Sequence, residues 1–310
     1  MANEILYAGI ADLRTAEVLS QEYLLLIADR NALPNHPALR YVGDIAGRGS
    51  SVIKVPHAGL DGYDLLAQTA DGSQVPNTAF TDGSSTVTVV RYSKAYEASD
   101  LAMLTDSAGI IVPQRFALDA VVSGAMKLTD LIANVTDGFT ATAGSSGVDL
   151  SVSNFLTAIG LLEVGAAGAI PDGGVMAVLH PQQLADLRQS FAASSGGAVQ
   201  WSMDAGSALP IRGGGFRGRI FGVDLFSSTY VPTANAGADR AGGMFVNGAV
   251  LWGDGSIPVT GSSEQLIVGG KVLFERDREA RTATTAFVSH RYLGVSKGLD
   301  GLGVSIITDA

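Results

Sequence analysis

The chain has no cysteine, which excludes disulfides, thiolate metal sites and cysteine nucleophiles together and leaves stability to packing and interfaces. Charge is scarce: Asp, Glu, Lys and Arg make up 16% of the 310 residues, against about 25% in an average soluble domain, while hydrophobic residues reach 46%. Apolar surface under so thin a polar coat tends to be covered by a partner, so oligomerisation is the first functional expectation. Positive charge is scarcer still. With 20 basic residues against 30 acidic ones and a formal net charge of −10, no domain-wide basic field exists to neutralise phosphates, and sequence-specific nucleic-acid binding is not expected. No run approaches the roughly 18 uncharged apolar residues of a membrane span. The opening MANEILYAGIADLR also lacks a basic segment followed by an apolar one, so the chain is expected to be made and folded in a cytoplasm without an anchor.

Motifs of catalysis are equally thin. The four histidines, His36, His57, His180 and His290, are scattered, with no spacing that sets two ligands on one helical face, and they read as structural or solvent-exposed. A triad assembled in space stays open on sequence grounds alone. The string Gly213-Gly214-Gly215-Phe216-Arg217-Gly218 matches G-x-G-x-x-G, but a dinucleotide site needs a strand before it and a helix after it. Here a strand is expected to follow, so the string reads as a glycine loop. Neither a Walker A run nor a G-x-S-x-G elbow is present. The chain is therefore read as a non-enzyme with no cofactor and no metal.

What the sequence does contain is a long amphipathic helix over residues 112–135. Pro113 suits its first turn, and Phe116, Ala120, Gly124, Leu128, Leu131, Ile132 and Val135 recur at three- and four-residue steps as one apolar stripe. At roughly 1.5 Å per residue it would extend about 35 Å before Thr136-Asp137-Gly138 stops it. A second helical pattern covers residues 12–32. Strands at 51–55 and 85–96 bracket a small, polar loop far longer than the usual ~4–6 residues, so residues 51–96 read as a long hairpin. A two-stranded hairpin is marginal alone and is expected to lie on another molecule. Ser99 and Asp100 cap a short helix. Further on come a helix at 153–164, a buried strand at 174–179, a helix from Pro181, and strands at 219–226, 242–251 and 264–276. This half reads as α/β with a largely antiparallel sheet. Glu275-Arg276-Asp277-Arg278-Glu279 alternates in sign. As an extended segment it places three carboxylates on one face and two guanidinium groups on the other, which suits either a solvated strand face or a charge lattice between subunits.

The order of these elements, with the run Gly218 to Ser228 followed by Tyr230-Val231-Pro232 and the step from His180-Pro181 into Leu184-Ala185-Asp186-Leu187-Arg188, resembles the major capsid proteins of tailed double-stranded DNA bacteriophages with the Hong Kong 97 fold. The resemblance implies an α+β chain divided into an N-terminal arm (1–44), an E-loop hairpin (45–97), a P-domain (98–143) with its spine helix at 112–136, an A-domain (144–261), and returning strands (262–310) that complete both domains. It implies hexamers and pentamers of this chain closing an icosahedral shell around DNA bound without sequence specificity, maturing from a procapsid in the host cytoplasm into the virion. Further implied partners are a separate scaffolding protein, a portal protein and a decoration protein; no membrane is involved. Arg212, Arg217 and Arg219 would contact a neighbouring subunit, and residues 275–279 would lie at an interface. Residues 55–93 hold no lysine, so covalent links from the hairpin are not expected. An encapsulin-like nanocompartment shell is the alternative, followed by a β-rich surface protein or a hydrolase.

Overall fold

The structure, a computed structural model, describes residues 33–58, 82–105, 113–166, 170, 174–193, 216–256, 265–268 and 271–309. The helix expected at 12–32, the loop between the hairpin strands and Arg212 lie outside these residues. The strands in chain order are β1 (Leu39–Asp44), β2 (Val52–Ala58), β3 (Asp82–Thr88), β4 (Val90–Ser99), β5 (Thr142–Gly144), β6 (Val175–Leu179), β7 (Phe216–Ile220) and β8 (Val223–Ser227). They continue as β9 (Thr233–Ala234), β10 (Asp239–Phe245), β11 (Val250–Gly255), β12 (Gln265–Val268), β13 (Val272–Glu279), β14 (Thr284–Lys297) and β15 (Gly303–Asp309). Four α-helices are described: Asp100–Thr105, Pro113–Val135, Val152–Gly165 and Pro181–Ala193.

One seven-stranded sheet runs β5-β15-β10-β6-β8-β7, with β9 added on β10. At its centre β6 reads Val-Met-Ala-Val-Leu and is buried at every position. A continuous apolar run is what a strand covered on both faces requires. Val175, Ala177 and Leu179 face a core shared with Phe155, Leu162, Leu184 and Leu187 of two helices. Met176 and Val178 face the other way, onto Leu128, Ile132, Phe226 and Phe245. Each large side chain buried this fully stabilises the fold by about 1.5–3 kcal/mol relative to exposure. The Val152–Gly165 helix starts where Ser151 Oγ accepts the Asn154 N–H at 3.2 Å, an ordinary N-cap. Gln183, on the inner side of the Pro181–Ala193 helix, is wholly buried. Its amide nitrogen donates to Arg240 O (3.0 Å), Ile306 O (3.2 Å) and Thr308 Oγ1 (2.8 Å), while its oxygen accepts the His180 N–H at 3.0 Å. The polar residue locks the helix to the sheet because every polar atom of its amide finds a partner.

The six-stranded sheet is organised by β14, which pairs β13 through residues 284–290 and β11 through residues 292–297, and carries β4 along the other edge. The long helix lies on it as the stripe expects. Phe116 stacks on Phe287 with ring centroids 5.1 Å apart, Gly124 faces Arg291, and Leu128 and Leu293 share one core. The Thr136 hydroxyl, buried at the helix end, donates to Ala241 O at 2.9 Å and seats that end on β10.

Four strand expectations need correction. Residues 219–226 form two strands, because Phe221 (φ 50°) and Gly222 (φ 81°) turn the chain back in a two-residue hairpin, as left-handed backbone at both central positions does. Residues 242–251 divide between β10 and β11 at Gly248 (φ 99°). Residues 264–276 contain the β12–β13 hairpin. The strand expected at 85–96 breaks at Val89: β3 pairs with β2, whereas β4 joins β14. Three of the strand pairings, β1 with β11, β5 with β15 and β6 with β8, are parallel, and the rest are antiparallel, so the largely antiparallel reading stands.

Candidate assembly surface

The hairpin of β2 and β3 forms a two-stranded sheet of its own, paired with neither of the two larger sheets. Its base lies on its own chain, contrary to the expectation that the whole hairpin rests on another molecule. Ile53, Val87 and Val89 bury against Leu251, with Val42, Val55 and Tyr292 around them. Two glycines paired across β11 and β14, Gly253 and Gly294, make the floor. A Cβ on Gly294 would stand 2.5 Å from Thr88 O, and one on Gly253 would stand 2.9 Å from Ile53 Cδ1. Backbone passing this close to backbone needs glycine. Beyond Ile53 and Val87 the described strands are only half-buried or exposed, with Lys54 and Thr86 facing solvent, so the anchored base carries an uncovered outer part.

A polar clamp fixes β1 beside its parallel partner β11. Tyr41 Oη donates to Asp254 at 2.6 Å, Lys271 Nζ bridges Asp254 (2.7 Å) and Asp44 (3.7 Å), and Ser256 Oγ donates to Asp44 at 2.5 Å. Burial alone would raise the Asp44 carboxyl, but hydrogen bonds from Ser256 and from the backbone of Ala46 and Ser256, with Lys271 nearby, bring it down to about 2. Upstream, buried His36 accepts the Ala38 N–H on Nδ1 at 3.1 Å, which leaves Nε2–H to donate to buried Asp224 at 3.1 Å. His36 is thus a structural histidine.

The segment Glu275 to Glu279 is extended and largely exposed at the end of β13, as its alternation expects. Two of its residues have partners within the chain: Arg278 reaches Asp100 at 2.5 Å, and Glu275 lies 3.4 Å from His290. Arg276, Asp277 and Glu279 are exposed. Arg219 turns back onto its own hairpin, 3.5 Å from Asp224 and 3.1 Å from Gly222 O, whereas Arg217 is exposed. Among the described residues no group of three or more His, Asp or Glu could hold a metal ion.

Apolar exposure adds residues that the sequence reading missed. Leu101 and Leu104 on the Asp100–Thr105 helix are 70% and 85% exposed, and Val164 is 80% exposed. Leu156, Gly160 and Val164 recur every fourth residue and form an uncovered stripe on their helix, while Phe155, Ala158 and Leu162 bury the opposite side. The signal was available: Val152–Gly165 holds a single charged residue, Glu163, so one apolar side is surplus to the core.

No family model and no curated protein matches the chain. Solved structures do. The capsid of Ralstonia phage GP4 aligns at TM-score 0.59 and 13% identity over 88% of this chain and 86% of that one. The head of Helicobacter pylori bacteriophage KHP40 aligns at 0.58 and 12% over 96% and 93%. The capsid of the native GTA particle aligns at 0.57 and 12% over 100% and 94%. The chain therefore has the α+β fold of the tailed-phage and GTA capsid proteins, the Hong Kong 97 type, over nearly its full length.

Proposed function

We propose that this chain is a major capsid protein, building the icosahedral shell of a tailed-phage or GTA-type particle from hexamers and pentamers of itself. One observation carries the reading: the fold match spans 96% and 100% of this chain and 93% and 94% of the two capsid chains. The thin charge, the half-buried and exposed positions of the hairpin strands and the uncovered apolar residues support it, since each is a feature that contact with further copies would cover. The chain is a structural component of the virion and performs no catalysis.

In this reading residues 1–44 are the N-terminal arm, 45–97 the E-loop, 98–143 the P-domain with its spine helix, 144–261 the A-domain, and 262–310 the strands completing both. Assembly sums many weak contacts per subunit through multivalency. A separate scaffolding protein guides it, a portal protein occupies one vertex, a decoration protein braces the outside, and double-stranded DNA fills the shell without sequence readout. Arg212, Arg217 and Arg219 contact a neighbour, and so does the segment from Glu275 to Glu279. Electron microscopy and sedimentation of the protein expressed with and without its neighbouring genes test the reading. Closed shells or regular capsomers are expected, and a chain that stays monomeric in every preparation contradicts it.

A further inference from the structure

Between the long helix and β14 lies a cleft of about 260 Å³. Arg291 of β14, Lys94 of β4 and Lys127 of the helix line it, together with the hydroxyls of Ser93, Ser123 and Ser289. Three cations are thus gathered in a chain whose net charge is −10. Two already have partners. Lys94 Nζ donates to Asp119 at 2.6 Å and to Ser123 Oγ at 3.0 Å, and Lys127 Nζ donates to Asp130 at 2.6 Å. Among the described residues Arg291 has no such partner: its buried Nε has no acceptor, and Asp254 is the carboxylate whose charge bears on it. Burial pushes its pKa below the usual arginine value, the direction taken by a charge removed from water without a close counter-ion. Gly124 leaves room for the arginine side chain, because a Cβ there would stand 2.7 Å from Arg291 Cδ.

With both lysines matched, the cleft has one positive charge in surplus, and a buried charge left unpaired destabilises the state that contains it. Its complement is a single carboxylate, which can take two charge-assisted hydrogen bonds from one guanidinium. A nucleic-acid strand fits less well: it brings a charge every few ångströms, and Asp119 and Asp130 beside the cleft would repel the remainder. We propose that this cleft is an intersubunit socket, in which Arg291 receives one aspartate or glutamate side chain from a second copy of this chain. Copies have carboxylates to offer, since acidic residues outnumber basic ones 30 to 20. The inference rests on the shell-forming reading above and adds the contact that neutralises Arg291 on assembly.

Carbodiimide coupling joins a carboxylate to an adjacent amine, with loss of water to the reagent, and Lys94 and Lys127 flank the incoming group. Treated particles and treated dissociated subunits would be digested and their linked peptides identified by mass spectrometry. The expected result is peptides joining Lys94 or Lys127 to an acidic residue other than Asp119 and Asp130, in particles only. Particles yielding just the Lys94–Asp119 and Lys127–Asp130 links overturn the socket while leaving the shell intact. If the wild-type chain never forms particles, the shell reading fails and the socket with it. In parallel, Arg291→Gln is expected to raise the concentration for half-assembly at least about tenfold, the effect of losing even one of the two charge-assisted hydrogen bonds. Arg291→Lys is expected to fall between the two, and the melting temperature of the isolated Arg291→Gln subunit is expected to stay level or rise. Assembly of Arg291→Gln at the wild-type concentration overturns the proposal. The coupling experiment needs no variant, so it decides the question even if Arg291→Gln misfolds.

Discussion

Replacing Gly294 with alanine should detach the hairpin base from its floor. The new Cβ would lie 2.5 Å from Thr88 O, 2.9 Å from Thr88 C and 3.0 Å from Val87 Cγ1. Ordinary carbon–oxygen contacts begin near 3.3 Å, so the chain at Thr88 must retreat by roughly 0.8 Å. It cannot do so freely, because the next residue, Val89, donates its N–H to Ser51 O at 2.8 Å and buries its side chain beside Leu251. Overpacking against backbone typically destabilises by about 1–3 kcal/mol. Gly253→Ala is the internal control: its nearest neighbour is the tip of Ile53, which can rotate away, so a smaller effect is expected. Amide hydrogen exchange reads the difference at Val87 and Val89, where protection should fall by about tenfold or more in Gly294→Ala and by less in Gly253→Ala. Exchange at Val89 unchanged in Gly294→Ala, with an unchanged melting temperature, would refute the glycine floor.

Gln183→Leu should lower the urea unfolding free energy by at least about 2 kcal/mol, because it strands the His180 N–H and the Thr308 hydroxyl in the core. Gly222→Ala should cost about 1–2 kcal/mol in the same assay, since its φ of 81° disfavours any Cβ although the space around it is open. Asp44 has a folded-state value depressed from 3.8 to about 2, so its stabilising contribution is present above about pH 4 and is lost as pH falls through about 2. Ser256→Ala removes one of the hydrogen bonds responsible, and the Asp44 carboxyl, followed by NMR, should titrate at a higher pH than in the wild type. With no lysine between Val55 and Ser93, particles boiled in denaturing detergent should run as monomer, and a ladder of covalent oligomers would contradict this.

Legibility in the sequence followed the range of the interactions involved. The long helix was readable because its stripe repeats within the helix itself, and Phe116, Ala120, Gly124 and Leu128 do face the sheet. The buried strand β6 was readable from its unbroken apolar run. The hairpin between β7 and β8 was not, because Phe221-Gly222 lacks the Asn-Gly signature and a phenylalanine at positive φ is an uncommon choice. Nor was the break at Val89, since strand alternation continues through it and only the choice of partner changes. The partners that the surface residues find within the chain were less legible. The alternating charges of Glu275 to Glu279 announced an exposed strand, but the partner of Arg278 is Asp100, from a distant part of the chain. Arg219, expected at a neighbour, also lies 3.5 Å from Asp224, a buried carboxylate bonded to the distant His36. Arg291 gave no local signal at all. Its isolation appears only when the helix above it and the strand beside it are in place.

Closure of this chain into a shell with its own copies is best checked by electron microscopy of the purified protein, co-expressed with its neighbouring genes and sized by sedimentation. Closed icosahedral particles whose capsomers are hexamers and pentamers of this chain are expected. A folded monomer that neither assembles nor forms capsomers at any concentration, salt or temperature tried would contradict it.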